Sequence, residues 1–429
     1  MSSEQGTLNV YHSNLASIVG EENLNYDLDS KEIKKAISPE NLPGCIVYPQ
    51  TQSQLAEAIA EAHRKKWRVL PCGNGSKLKW GSLAKDVDIV VSTQHLNKII
   101  NHAVGDLTIT VEAGVKFADI QANLAKHNQI LALNPTEPDL ATIGGIIATG
   151  DTGSLRQRYG SVRDQLLGVT FVRADGQIAR AGGKVVKNVA GYDLMKLFTG
   201  SYGTLSIITE ATFRLYPMQS ASGTAVFMGS FESISQAADT IRGSALTPTQ
   251  ADLLSSQLVS SMELGKALGL IIRFESIPES VEEQLNQVLQ IGEKLGLSKV
   301  VFSEKAEQDL WHRLPEQIHL SEPESAITCK IGVLPNAAVE ILNQADLGLI
   351  NISTGLGILR FDSVDKVLEM RKLCEQKSGF LTILSAPIDI KQKVDIWGYS
   401  GNALGLMRGI KKQFDSDNTL SPGRFLGGI

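Results

Sequence analysis

No apolar run in these 429 residues approaches the roughly 18 that a membrane-spanning helix needs. The start, Met1-Ser2-Ser3-Glu4-Gln5-Gly6, lacks the basic-then-apolar order of an export signal. A soluble cytoplasmic chain with no direct membrane span, reaching a membrane only through a partner, is therefore expected. Cysteine is scarce, and Cys45, Cys72, Cys329 and Cys374 form no Cys-x-x-Cys pair. That spacing gives no support to a zinc site, an iron-sulfur cluster or a redox dithiol, and scattered thiols suit a reducing compartment. Positive charge is not in excess either. The formal net charge of −5 gives no reason to expect nucleic acid as a partner.

Two standard nucleotide motifs are also missing. Gly73-Asn74-Gly75 would need a glycine at Leu78 to complete Gly-x-Gly-x-x-Gly, and Gly182-Gly183-Lys184 lacks the glycine at Ile178 and the hydroxyl at Val185 of a Walker A loop. Neither a Rossmann dinucleotide site nor a P-loop NTPase is supported.

What remains is ordinary globular composition, 42% hydrophobic and 20% charged, in a chain long enough for two or three domains. The pattern predicts a helical segment within 1–39, with one short helix over Leu28–Ile37, then strand, helix and strand at Cys45–Pro49, Leu55–Ala62 and Trp67–Pro71. Further strands are expected at Asp88–Val91, Thr108–Glu112 and Leu166–Arg173. Gly-rich turns are expected over Thr142–Gly153 and a helix over Tyr192–Thr199. From Thr204 the apolar residues Leu205, Ile207, Ala211, Phe213 and Leu215 alternate with polar ones, as in a strand with one buried face. Ile208 breaks that row, and Pro217 stops the strand. Residues 219–429 read as a separate α+β domain.

Three glycine clusters carry the chemistry. Pro71-Cys72-Gly73-Asn74-Gly75-Ser76-Lys77 follows a strand directly, where bare amides can turn toward phosphate oxygens; a plain tight turn explains it equally well. Thr142-Ile143-Gly144-Gly145 leads into a small-residue stretch ending at Gly153, where backbone can lie against a large flat group or simply loop between strands. The third runs Ala181-Gly182-Gly183-Lys184-Val185-Val186-Lys187-Asn188-Val189-Ala190-Gly191-Tyr192-Asp193-Leu194, then on through Gly200-Ser201-Tyr202-Gly203-Thr204-Leu205.

In this order over residues 40–218, the three clusters resemble the FAD-binding domain of the vanillyl-alcohol oxidase (PCMH-type) flavoprotein family. Within that family, the Val-Lys-Asn-Val-Ala-Gly-Tyr-Asp-Leu string is similar to the E-type component of glycolate oxidase (glycolate dehydrogenase). The closing Asn418-Thr419-Leu420-Ser421-Pro422-Gly423-Arg424 is similar to the family's terminal Asn-Pro-Gly-(Lys/Arg) segment. The resemblance implies an α+β fold. A two-subdomain PCMH-type FAD-binding domain at 40–218 would be followed by a cap and C-terminal domain at 219–429, whose segment 386–429 returns to the flavin.

The implied cofactor is FAD, with Gly73, Asn74, Gly75, Ser76 and Lys77 at the pyrophosphate, Thr142, Ile143, Gly144, Gly145 and Gly153 along flavin and phosphates, and Pro71 also in the cofactor-binding set. Ile208 would stand on the adenine side, and Pro135, Thr149, Tyr159 and Gly160 complete the cofactor-binding set. Arg158, Lys184, Lys187 and Arg424 are candidate cations beside a flavin that gains negative charge on reduction. Covalent members carry histidine where Ser76 stands, so non-covalent FAD is expected.

The resemblance further implies a subunit of a glycolate dehydrogenase complex. Its partners would be a sister flavoprotein subunit and an iron-sulfur subunit, and its substrate a small 2-hydroxy acid. Related D-2-hydroxy-acid dehydrogenases carry a His-x-Gly-Asp-Gly-Asn-x-His-like string that helps hold metal and substrate. It is missing here, and the last histidine is His319. No catalytic residue and no metal ligand is assigned. A non-catalytic assembly subunit stabilised by FAD, or a stand-alone FAD oxidase of another alcohol, stays open.

Overall fold

Val69, Leu70, Ile89, Val90 and Val91 are consecutive buried apolar residues, the composition of strands covered on both faces. In the computed structural model, which describes residues 11, 13–40, 42–185, 191–319 and 325–429, they form two adjacent strands of a four-stranded sheet. Val69–Cys72 and Cys45–Val47 flank Ile89–Ser92 in parallel, and Leu24–Asn25 adds an antiparallel edge. Helix Gln52–Lys65 starts at Thr51, whose side chain accepts from the Gln54 amide, and buries Leu55, Ala58, Ile59 and Ala62. Beyond Val69 the C-terminal chain pairs as one more strand. The Val69 amide donates to Thr419 O at 2.7 Å and the Ser421 amide to Val69 O at 2.8 Å.

A second, antiparallel sheet runs in the order Ile99–Ala103, Thr108–Glu112, Ile207–Arg214, Leu166–Val172, Ile178–Gly182. Its middle strand corrects the expectation of one buried face. Side chains of this strand enter two different cores, Ile208 and Ala211 one and Ile207 the other, and Thr212 on the expected polar face is buried too; the hydroxyls find partners, Thr209 donating to Thr170 O and the Thr110 and Thr212 hydroxyls pairing at 2.9 Å. The register shifts between Ile208 and Glu210, and this irregularity is the physical source of the broken alternation at Ile208. The strand ends at Arg214, and Tyr216–Pro217 pairs with Gln129–Ile130.

The expected turns at Thr142–Gly153 are a helix, Ile143–Thr149, capped by Thr142 and ended by Gly150 in the left-handed conformation. Two amides at its start donate to another segment, Ile143 N to Val115 O and Gly144 N to Ala113 O. Tertiary bonds thus stabilise a helix that glycine propensity opposes. The helices expected at Tyr192–Thr199 and Leu28–Ile37 are shorter, Leu194–Phe198 and Lys31–Lys34; in the second, the Ser30 cap fixes the start.

Contacts divide the chain into two units. The first comprises Met1–Thr152, Ser161–Pro217 and Ser400–Ile429, the second Gly153–Gly160 and Met218–Tyr399. The second is built on one eight-stranded antiparallel sheet, in the order Ser298–Phe302, Ala221–Gly229, Leu268–Ser276, Gln250–Leu254, Leu347–Asn351, Leu356–Phe361, Ile327–Gly332, Phe380–Ser385. Helices Phe231–Arg242, Pro278–Lys294 and Val364–Gln376 pack apolar faces into one core, while Glu304–His319 closes another with Leu310, Leu314 and Ile318.

Gly153–Gly160, which the sequence places inside 40–218, is held in this second unit by polar contacts. Ser154 bonds the Asp252 carboxylate, and Gln157 Nε2 donates to Ser353 Oγ at 2.9 Å. Asp252 is fully buried. One oxygen accepts from Asn351 Nδ2 at 3.2 Å, whereas Oδ2 has no partner. Burial pushes its carboxyl up to about 6, against the opposing pull of Ser154 and Asn351. Between ~4 and ~6 the folded chain therefore holds a proton that the unfolded chain has lost, so stability falls as pH rises through that window. Asp252→Asn is expected to flatten this slope and gain roughly 1–3 kcal/mol at pH 7. Urea unfolding at pH 4.5 and pH 7 checks this, and parallel pH profiles for the two proteins contradict it.

Candidate functional site

The turn after Val69–Cys72 opens onto a concavity of the first unit. Gly73 must be glycine, because a Cβ there would run into Thr142 Oγ1, the hydroxyl that caps Ile143–Thr149. Gly75 sits at φ 83°, a conformation that side chains disfavour. Between them the chain presents main chain and little else. Among the described residues, the amides of Asn74, Gly75 and Ser76 have no acceptor in the protein. Three successive donors left open at one turn suit an anion.

The space in front of them, about 740 Å³ counted together with the solvent at its mouth, is partly open. One wall is Pro71–Leu78; the helix start contributes Thr142, Gly144, Gly145, Ala148 and Thr149; Ser201–Gly203 and Ser206–Ile208 close the far side with Thr93 and Arg424. The structure thus brings together Pro71, Gly73, Asn74, Gly75, Ser76, Lys77, Thr142, Gly144, Gly145, Thr149, Ile208 and Arg424. The lining does not include Pro135, Ile143, Gly153, Arg158, Tyr159, Gly160 or Lys184. Ile143 is core, Lys184 is exposed, and Gly153, Arg158, Tyr159 and Gly160 belong to the second unit. Lys187 lies outside the described residues.

The two cations of the cavity differ. The Lys77 ammonium donates to Thr136 O at 2.7 Å and pairs with Asp151 at 3.1 Å, so its charge is already matched and it straps the glycine turn to the following loop. Arg424 is 3% exposed and has no carboxylate within ion-pair distance among the described residues. Its Nη1 donates to Ser82 O at 2.9 Å and Ala36 O at 3.3 Å, and Nε has no partner. Desolvation draws this guanidinium down to about 10, with the Tyr202 phenol opposing. An unmatched buried cation costs several kcal/mol, which an anion placed in the cavity would offset.

Arg424 is delivered by the C-terminal strand, which Lys411 and Asp415 lock. Lys411 Nζ, on helix Leu404–Phe414, bonds Asp415 at 2.6 Å, Thr204 O at 2.8 Å and Leu420 O at 2.9 Å; Asp415 accepts the amides of Thr419 and Leu420 at 2.8 and 2.7 Å.

Leu78, Thr93 and Ser206 also line the cavity from outside the three glycine clusters, while Cys72, Ala148, Ser201, Tyr202 and Gly203 lie within those clusters and Ile207 in the alternating strand without an assigned cofactor role. Gly200-Ser201-Tyr202-Gly203 carried a signal, a doublet interrupted by glycines. Tyr202 adopts φ 55°, with its amide on Ala148 O at 2.8 Å, a strained placement of the kind that clusters at functional sites.

Open amides and an unmatched buried guanidinium in one large cleft fit a dinucleotide carrying a diphosphate. Comparison with known proteins agrees, since residues 43–182 match the family described as FAD binding domain. Residues 43–182 are thus similar to a FAD-binding domain. Around that domain, the chain is 28% identical over 266 residues to the glycolate oxidase subunit GlcD of Bacillus subtilis, covering 59% of this chain and 56% of the relative. It is 27% identical over 310 residues to the mitochondrial D-lactate dehydrogenase [cytochrome] of Arabidopsis thaliana, covering 68% and 53%. The chain thus spans about half the length of these curated relatives. Its fold is that of p-cresol methylhydroxylase, with a TM-score of 0.74 at 15% identity over 98% of this chain and 97% of that one.

The FAD-binding domain makes a further prediction at its glycine turn. Gly73→Ala is expected to displace Thr142 and with it the start of Ile143–Thr149, lowering FAD affinity at least tenfold. Gly105→Ala, whose Cβ would meet nothing, should leave affinity unchanged. Equilibrium titration of the two apoproteins with FAD distinguishes the positions, and equal affinities would show that the close approach at Gly73 is unimportant.

Proposed function

We propose that this chain is the FAD-binding subunit of a 2-hydroxy acid dehydrogenase complex of the glycolate dehydrogenase type. It holds FAD non-covalently and passes electrons through a sister flavoprotein subunit and an iron-sulfur subunit. The observation that carries the binding part is Arg424, a buried cation whose Nε lacks any partner in the cavity wall. The substrate class is supported by the relatives' names, glycolate oxidase and D-lactate dehydrogenase. When bound, FAD supplies a two-electron acceptor for the carbon-bound hydrogen of an alcohol. The chain's own part is to hold the diphosphate on the Asn74–Ser76 amides, to balance charge through Arg424, and to keep the wall at Ile207 and Ile208 apolar. Ser76, standing where covalent relatives carry histidine, supports a releasable cofactor.

One observation favours a second reading. The chain lacks the His-x-Gly-Asp-Gly-Asn-x-His-like string, and among the described residues no group of three His, Cys, Asp or Glu side chains could hold a metal. FAD would then act mainly as a stabilising ligand of an assembly subunit. Anaerobic addition of glycolate or D-lactate separates the two. The first reading expects the flavin absorbance of the isolated chain to bleach; bleaching only when the sister subunit is present supports the second.

A further inference from the structure

Thr93, Thr142 and Thr149 stand in the cavity wall with hydroxyls that serve the fold. Thr93 donates to Cys72 O at 3.2 Å, Thr142 caps its helix, and Thr149 donates to Gly145 O at 2.8 Å. Thr204, nearby in sequence, likewise bonds Ser201 O at 2.7 Å. Ser206 differs. It is 3% exposed, it lines the same cavity, and its Oγ has no hydrogen-bond partner. It also interrupts an apolar run, Leu205-Ser206-Ile207-Ile208, whose three apolar residues all pack into hydrophobic cores, Ile207 and Ile208 bordering the cavity as well. A buried hydroxyl without a partner weakens the protein relative to a methyl group in its place. The fold therefore gives no reason for a hydroxyl here, and the cavity does.

We propose that Ser206 is a cofactor contact, its Oγ bonding the polar edge of one of the two ring systems of the dinucleotide. A hydroxyl in a wall bordered by apolar residues matches the polar rim of a planar heteroaromatic ring. The inference rests on the FAD reading above and adds a contact to it. Adenine and isoalloxazine share this chemistry, and half-ligands tell them apart.

The test uses the full chain, freed of flavin, as wild type and as Ser206→Ala. Each is titrated with FAD, with FMN and with ADP, and each apoprotein is melted without ligand. The expected result is FAD affinity about tenfold weaker in Ser206→Ala, with an apoprotein that melts at the same temperature or higher. Affinity lost in parallel for ADP assigns the contact to adenine; for FMN, to the isoalloxazine. Unchanged FAD affinity overturns the proposal. A lower apo melting temperature accompanying the affinity loss also overturns it, because Ser206 would then serve the fold. Wild-type protein that binds no FAD would instead remove the reading beneath the proposal, an outcome visible before any variant is compared.

Discussion

Arg424→Met is expected to weaken FAD binding by roughly 10- to 100-fold, the range for hydrogen bonds made to a charged partner. The apoprotein should change far less. In the absence of ligand the guanidinium is buried at 3% exposure without a carboxylate among the described residues, so methionine removes an uncompensated charge while it loses the bonds to Ser82 O and Ala36 O. These effects oppose one another, and a net change within about 2 kcal/mol follows. Arg424→Lys keeps the charge but not the guanidinium nitrogens beyond the Nη1 that bonds both carbonyls, so an intermediate affinity is expected. Fluorescence titration with FAD, set against urea unfolding of the apoproteins, reads both quantities. Affinity that follows apo stability rather than charge would place Arg424 in the framework alone.

Asp415→Ala is expected to be the most destabilising single change, costing about 3–5 kcal/mol. Its carboxylate is fully buried and holds three donors, the Lys411 ammonium and the amides of Thr419 and Leu420. Alanine leaves that ammonium with only the carbonyls of Thr204 and Leu420, and both amides with no acceptor from this residue. FAD binding should fall too, because Thr419 and Ser421 are the positions at which the C-terminal strand pairs with Val69, just ahead of Arg424. A double replacement, Lys411→Met with Asp415→Leu, removes both charges and should be less destabilising than the sum of the single changes. Thermal melts of the four proteins test this, and simple additivity would contradict a coupled buried pair.

The glycine turn at Gly73–Ser76 could be read in the sequence because its cause is local: a strand ends, and residues without bulk expose amides. The helix at Ile143–Thr149 was hidden for the opposite reason. Two glycines at its start argue for turns, and what makes it helical is a threonine cap plus bonds to Ala113 and Val115, some thirty residues away in sequence. Ile208 stood out as a break in alternation and proved to mark a register shift in the sheet that also faces the cavity. Lys411 and Asp415 gave no signal, since a pair four apart on a helix reads as a solvated surface bridge until Thr204 and Leu420 fold over it. Arg424 was legible as a cation, but its lack of a counter-charge is visible only in three dimensions.

The central claim is that open main-chain amides and the Arg424 guanidinium gather around one diphosphate-bearing flavin. Protein saturated with FAD, desalted and then precipitated with acid tests it most directly. Close to one FAD per chain is expected, all of it released into the supernatant; a colourless protein that retains no flavin after desalting would contradict this.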